Sequence, residues 1–315
     1  MADLWIGAGG WGYFRGPSGR PLTDYARAFR FVEVNTTFYR HPSIVAVRRW
    51  RRSVPEPFRF SVKAHRDITH GERMRATRKA MASLARDAAI VRALGADLLV
   101  LQTPPDLVLG RDQAAAVKDF AAALGGRVRI ALEARGHGGR PLPASVASAL
   151  REAGGIDVVD LSKGQMPRVE SDVLYARLFG KGPDNVWESS DAELREIEAA
   201  ARDQGGDRMV FAFHGVRMYK DAARFLSLER TGSIPPATRR VGIDAVQEVL
   251  APDVRFPTTR DDLLARHGWK VVATEGRRNV HAAELLRRLP DGRIGSMDAL
   301  IRALRPERGI GIPVL

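Results

Sequence analysis

Short apolar runs rich in β-branched residues alternate along the chain with longer amphipathic stretches. The runs cover residues 4–8, 31–35, 58–65, 98–102, 128–135, 156–160, 173–178 and 209–214. Helix-type patterns lie between them at 24–29, 43–50, 73–94, 112–124, 143–153, 191–203 and 220–228. Strands that alternate with helices predict a parallel sheet. Eight such units predict an α/β fold, a TIM (β/α)8 barrel over residues 1–230. An open doubly wound sheet is the rival arrangement. After Leu228 the alternation stops. Residues 231–253 contain Gly232, Pro235, Pro236 and Pro252 and read as a linker. Residues 254–315 read as a small all-helical module, with helices at 260–267, 280–288 and 296–304. Thr258 or Thr259 is the expected cap of the first and Ser296 of the last.

Alternate residues of a strand face the same side, so one face of each strand fills the barrel and the other meets the helices. On most of the eight runs the helix-facing set is apolar, while the other set turns polar toward its carboxyl end. The polar positions are Glu33, Asn35, Lys63, His65, Gln102, Glu133, Arg135, Asp160, Arg177 and His214. Burying so many charges without purpose is expensive, and the carboxyl face of such a barrel is where active sites sit. This ring is the strongest functional signal in the chain. Its bland alternative is a set of ion pairs that satisfy one another inside the barrel. Tyr39 and His70 fall on the loops above the ring. Trp11 follows the first strand. Trp5 has helix-facing parity and is expected in the core.

Composition narrows the chemistry. The 315 residues include no cysteine, which excludes disulfides, thiolate metal sites and cysteine nucleophiles. The first residues lack the basic-then-apolar pattern of a secretory leader, and no apolar run is long enough to span a membrane; a cytoplasmic location is expected. The net charge of +13 favours anionic partners, nucleic acid among them. A basic excess carried almost wholly by arginine in a chain rich in alanine and glycine also has a compositional explanation. The sequence sets no oligomeric state.

The stretches IGAGGWGYF, FVEVNTTFYRHPS, PFRFSVKAHRDITH, LLVLQTPP and ALEAR, from about Leu4 to Arg135, resemble the YecE-like family, also called domain of unknown function 72. The resemblance implies a TIM barrel. In architecture that family is similar to endonuclease IV and to sugar isomerases, and a nuclease-like role is what that likeness implies. The chain departs from the family pattern late in the barrel. Phe213-His214-Gly215 stands where the family has Phe-Asn-Asn. Arg177 is followed by Leu178, Phe179 and Gly180 rather than by a residue and then His-Gly. Glu133-Ala134-Arg135 is followed by Gly136 before His137. Roles in the last strands are therefore not carried over. The C-terminal stretch beginning FPTTRDDLL is similar to domain of unknown function 2795, which implies no catalytic role.

Glu33 and Glu133 lie three strands apart, across the mouth from each other, and with Lys63 and His214 form the candidate catalytic set. Lys63, Arg135 and Arg177 are suited to holding a phosphate or carboxylate. Asn35, Tyr39, His65, His70, Gln102, Asp160 and Trp11 complete the candidate substrate contacts. A divalent metal on some of Glu33, His65, Glu133, Asp160 and His214 stays open, although two arginines and a lysine in the same ring oppose it. The cluster Gly7, Gly9, Gly10 and Gly12 matches no complete phosphate-binding fingerprint and reads as a tight loop in the pocket wall. The expected function is an enzyme acting on a phosphate-bearing substrate, a nucleic acid or nucleotide phosphodiester. The alternatives are a sugar or sugar-phosphate isomerase or lyase, and a non-catalytic binding protein.

Overall fold

The computed structural model describes residues 2–305. Eight parallel strands close on themselves in sequence order. They are β1 (Asp3–Ala8), β2 (Phe31–Val34), β3 (Arg59–Lys63), β4 (Leu98–Gln102), β5 (Arg129–Glu133), β6 (Ile156–Val159), β7 (Val173–Leu178) and β8 (Arg208–Phe213). Around them run α1 (Pro21–Ala28), α2 (Thr36–Tyr39), α3 (Ile44–Arg52), α4 (Arg78–Leu94), α5 (Arg111–Leu124), α6 (Ala144–Glu152), α7 (Asp191–Gln204) and α8 (Met218–Thr231). The alternation of strand and helix patterns is thus a closed TIM barrel and not an open sheet. Local signals explain several boundaries. Thr77 caps α4 and left-handed Gly95 ends it. Ser190 and Glu193 form a reciprocal capping box on α7. A single π-helical turn, Asp67–Gly71, stands between β3 and α4, and α4 begins at Arg78 where the sequence pattern predicts helix from residue 73.

Two apolar layers position the site. Outward residues such as Val32, Val62, Leu99 and Ala176 pack on the helices. Trp5, Phe31, Val100, Ile156, Val173 and Val210 fill the lower interior. Trp5 belongs to this interior set, contrary to its expected parity. Trp5 pairs with Val210 and Gly7 with Ala212 in the ladder, and Trp5 lies 5.7 Å from the Phe31 ring. The glycines at 7 and 9 carry no side chain that would reveal the phase of β1. The short β1–β2 ladder is reinforced by Tyr25, whose hydroxyl accepts from Ala8 N and donates to Phe31 O, both at 2.8 Å.

Beyond α8 the chain builds a second core. The stretch read as a linker contains a helix, α9 (Gly242–Leu250), which buries Ala245, Val246 and Leu250. There follow β9 (Thr258–Thr259), α10 (Arg260–His267), β10 (Val271–Ala273), β11 (Asn279–His281), α11 (Ala283–Leu286), β12 (Arg293–Ile294) and α12 (Met297–Leu304). The module is therefore not all-helical: β10 pairs with β11 and β9 with β12, both antiparallel. Val280, placed in a helix by its pattern, sits opposite Val272 in the β10–β11 ladder, where β-branched residues pack well. Thr259 and Ser296 cap α10 and α12. Residues 306–315, the end of the expected module, lie outside the described residues. Polar contacts join this module to the barrel: Val271 N donates to Glu188, Asn279 donates to Asp191, and His281 Nε2 lies 2.9 Å from Glu193. Among the described residues no helix is long and apolar enough to cross a membrane.

Candidate functional site

Above the apolar interior, the next inward positions are polar, and they converge. Arg177, at the carboxyl end of β7, is wholly buried. Its Nε and Nη2 donate to the carboxylate of Glu33 on β2, at 3.0 and 2.8 Å, and its Nη1 donates to Glu133 on β5. Tyr175 donates to Glu33 at 2.7 Å and exchanges a 2.7 Å hydrogen bond with Ser61. Burial pushes the Glu33 carboxyl up, but Arg177 and His214 outweigh it and hold it well below the usual carboxylate range. Glu133 is lowered on the same balance of burial against Arg177. Glu33 is thus held as an anion between Arg177 and Tyr175.

Gln102 relays from Glu133 to Lys63. Its amide donates to Glu133 at 2.9 Å and its carbonyl accepts from Lys63 Nζ at 2.6 Å. Among the described residues no carboxylate pairs with the Lys63 ammonium, which rests 4.0 Å from the Phe38 ring. Burial, then Arg177, lower its pKa to about 8. Asp160, just past β6, accepts from Ser162 N and Oγ and from Phe179 N. Burial raises it to about 6 against the pull of Ser162 and Lys163. His214 stacks on Phe179 with centroids 4.8 Å apart. Its Nε2 lies 3.3 Å from Glu33. Burial, with Arg177, lowers the pKa of His214 against the pull of Glu33. A Cβ at Gly9 would overlap the His214 imidazole, so the glycine loop makes room for this ring, and Asn35 donates to Gly9 O at 2.8 Å.

Beside these groups lies a cavity of about 210 Å³ lined by Glu133, Arg135, Asp160, Lys163, Arg168 and Phe179, among others. Arg135 and Lys163 bring cationic side chains that are 42% and 44% exposed, whereas Arg168 is spent on Asp157. A larger cavity, about 570 Å³, opens between the 183–187 loop and α10–α11, away from this convergence.

The ring expected from strand parity therefore assembles from Glu33, Lys63, Gln102, Glu133, Arg177 and His214, with Arg135 and Asp160 at the cavity wall. His65 does not join it. β3 ends at Lys63, and His65 turns to stack on His41, 4.4 Å away. His70 packs on Phe38 at 4.9 Å, and burial and the nearby Lys63 lower its pKa. Tyr39 is 67% exposed. Trp11 packs edge-on against Trp50 at 5.2 Å. The parity reading missed Phe38, which only the tertiary fold lays over Lys63, and Phe179. Tyr175, which shares the phase of Arg177, is not among the polar positions of the expected ring. Among the described residues no three His, Asp or Glu side chains are placed to share a metal. A cation between Glu33 and Glu133 would meet the Arg177 guanidinium already there.

Residues 5–238 match the family described as Protein of unknown function DUF72. A 54-residue stretch is 43% identical to UPF0759 protein YecE of Escherichia coli K12 and covers 17% of this chain and 20% of that protein. The match thus spans about a fifth of the curated relative. A DUF72 protein from Enterococcus faecalis superposes with a TM-score of 0.56 at 16% identity, covering 72% of this chain and 97% of its own. One from Thermotoga maritima gives 0.55 at 17%, covering 72% and 99%. These likenesses bear on the fold alone.

Proposed function

The chain belongs to the DUF72 family, whose description names no reaction, and we propose from the site itself that it is an enzyme moving protons on a small anionic substrate of the sugar-phosphate class. The observation that carries this is the cavity of about 210 Å³ at the barrel mouth, with Asp160, Glu133, Arg135 and Lys163 on its wall. Enclosure on that scale suits a small molecule better than a polymer. Arg135 and Lys163 grip the phosphate. Asp160, ionised above about pH 6, takes a proton from the carbon beside a carbonyl. Lys63, which lies off the cavity wall and is joined to Glu133 through Gln102, is protonated below about pH 8 and gives a proton to the carbonyl oxygen. Both groups feel the charge of Glu133, which stands between them in the strand order. Reversing the two transfers at the neighbouring carbon completes an isomerisation. Glu33 and Arg177 supply the fixed frame.

Incubation with a panel of aldose and ketose phosphates in deuterium oxide, read by proton NMR, tests the proposal. The wild type is expected to incorporate deuterium beside the carbonyl, and Asp160→Asn and Lys63→Met to lose about 10²-fold or more. No exchange with any member, or unchanged exchange in both variants, rejects it. The net charge of +13 favours a second reading, phosphodiester recognition. Oligonucleotide binding that weakens steeply with salt, without proton exchange on the panel, would put that reading first.

A further inference from the structure

A second polar cluster lies on the outer side of the β3 wall. Asp87, in the middle of α4, is completely buried. One of its oxygens is 3.1 Å from His41 Nε2, and the other accepts from His65 N at 2.9 Å. The His41 and His65 rings stack at 4.4 Å with 21° between their planes. His65 Nδ1 accepts from Asp67 N at 3.2 Å. Asp67 is in turn 3.5 Å from Lys79. Among the described residues no arginine or lysine pairs with Asp87, although a buried carboxylate is costly and an apolar residue would pack α4 onto the barrel as well as Leu84 and Val91 do.

What the carboxylate joins explains its presence. His41 follows the helix that carries Phe38, and His65 precedes the turn that carries His70. Phe38 lies over Lys63 at 4.0 Å and against His70 at 4.9 Å. Asp87 therefore ties together the bases of the two loops whose tips cover the lysine. We propose that His41, Asp87 and His65 are positioning residues, which hold Phe38 and His70 over one side of Lys63 and limit the water that reaches its amine. They touch no substrate. The use of Lys63 as a proton donor rests on the proposed function; the cover over it does not.

The test reads the lysine directly. Lys63 acetylation by acetic anhydride is followed by mass spectrometry across a pH series, and its midpoint, not its amplitude, is compared. The wild-type midpoint is expected near 8. In His41→Ala, water reaches the amine and the midpoint rises by about one unit or more toward the free value of 10.5. A one-unit rise leaves about fivefold less uncharged amine at pH 8. His41→Gln restores an N–H donor toward Asp87 and is expected to keep the wild-type midpoint. A folded His41→Ala protein with an unmoved midpoint overturns the proposal. If that variant does not fold, Asp87→Leu, which removes both ties and keeps the bulk of the side chain, is read the same way: a raised midpoint supports the cover, and an unmoved one overturns it. A raised midpoint in a protein whose wild type exchanges no sugar-phosphate proton removes the proposed function and leaves the positioning role standing.

Discussion

Arg177 and Glu33 meet as a bidentate pair in the barrel interior, with guanidinium nitrogens 3.0 and 2.8 Å from the carboxylate and neither side chain open to solvent. Breaking one half of such a pair leaves a bare charge without water. Arg177→Met is expected to lower unfolding free energy by about 3–5 kcal/mol in urea titrations. The double variant Glu33→Gln/Arg177→Met removes this pair, leaves Glu133 to Gln102 and Arg135, and is expected to recover part of that loss. Equal losses in the single and double variants would contradict this account.

For an exchanging substrate, kcat/KM is expected to trace a bell. Activity requires ionised Asp160, so it rises with pH through about 6, and protonated Lys63, so it falls through about 8. Lys63→Arg keeps its charge far above this range and should erase the alkaline limb while sparing the acid one. An alkaline limb that persists at about 8 in this variant assigns it to another group.

Asp221 lies buried beneath the seam between barrel and C-terminal module, where it accepts from Ser189 N at 3.0 Å. Burial raises its pKa from 3.8 to about 7, against the pull of Arg224. A raised folded-state value favours the protonated form, so its contribution is complete below about pH 4 and is lost as pH rises through about 7. Asp221→Asn cannot ionise. Its stability relative to wild type should improve between pH 5 and pH 8, by on the order of 2 kcal/mol, in paired thermal melts. A constant offset at the two pH values would show that Asp221 does not titrate in this range.

Gly9 leaves the space that the His214 ring fills. Gly9→Ala is expected to displace the ring from its stack on Phe179 and to lower stability by about 1–3 kcal/mol through overpacking. Combined with His214→Ala, the same change should cost much less, since the two groups compete for one volume. Additive losses in a double-mutant cycle would refute the competition.

Strand parity could read Glu33, Lys63, Glu133 and Arg177 because each lies within a strand whose neighbours two residues away are interior. It failed for His65, two residues beyond the end of β3, since alternation has no force once the chain leaves the ladder. It failed for Trp5 because glycines at 7 and 9 hide the phase of β1. In the stretch read as a linker, Pro235, Pro236 and Gly232 drew attention from the helical spacing of Ile243, Val246 and Leu250, which mark α9. No local pattern marks Phe38 as the cover of Lys63 or Asp87 as the tie beneath it. Those relations join loops to a helix far along the chain, and only closure of the barrel creates them.

The guanidinium between Glu33 and Glu133 is sealed from solvent, whereas Arg135 and Lys163 reach into it. Mobile ions screen exposed charges over about 10 Å at 0.1 M and act far less on buried ones. Ionic strength therefore acts on the two parts unequally: added electrolyte loosens the grip on an anion at the rim, while the frame beneath keeps its alignment.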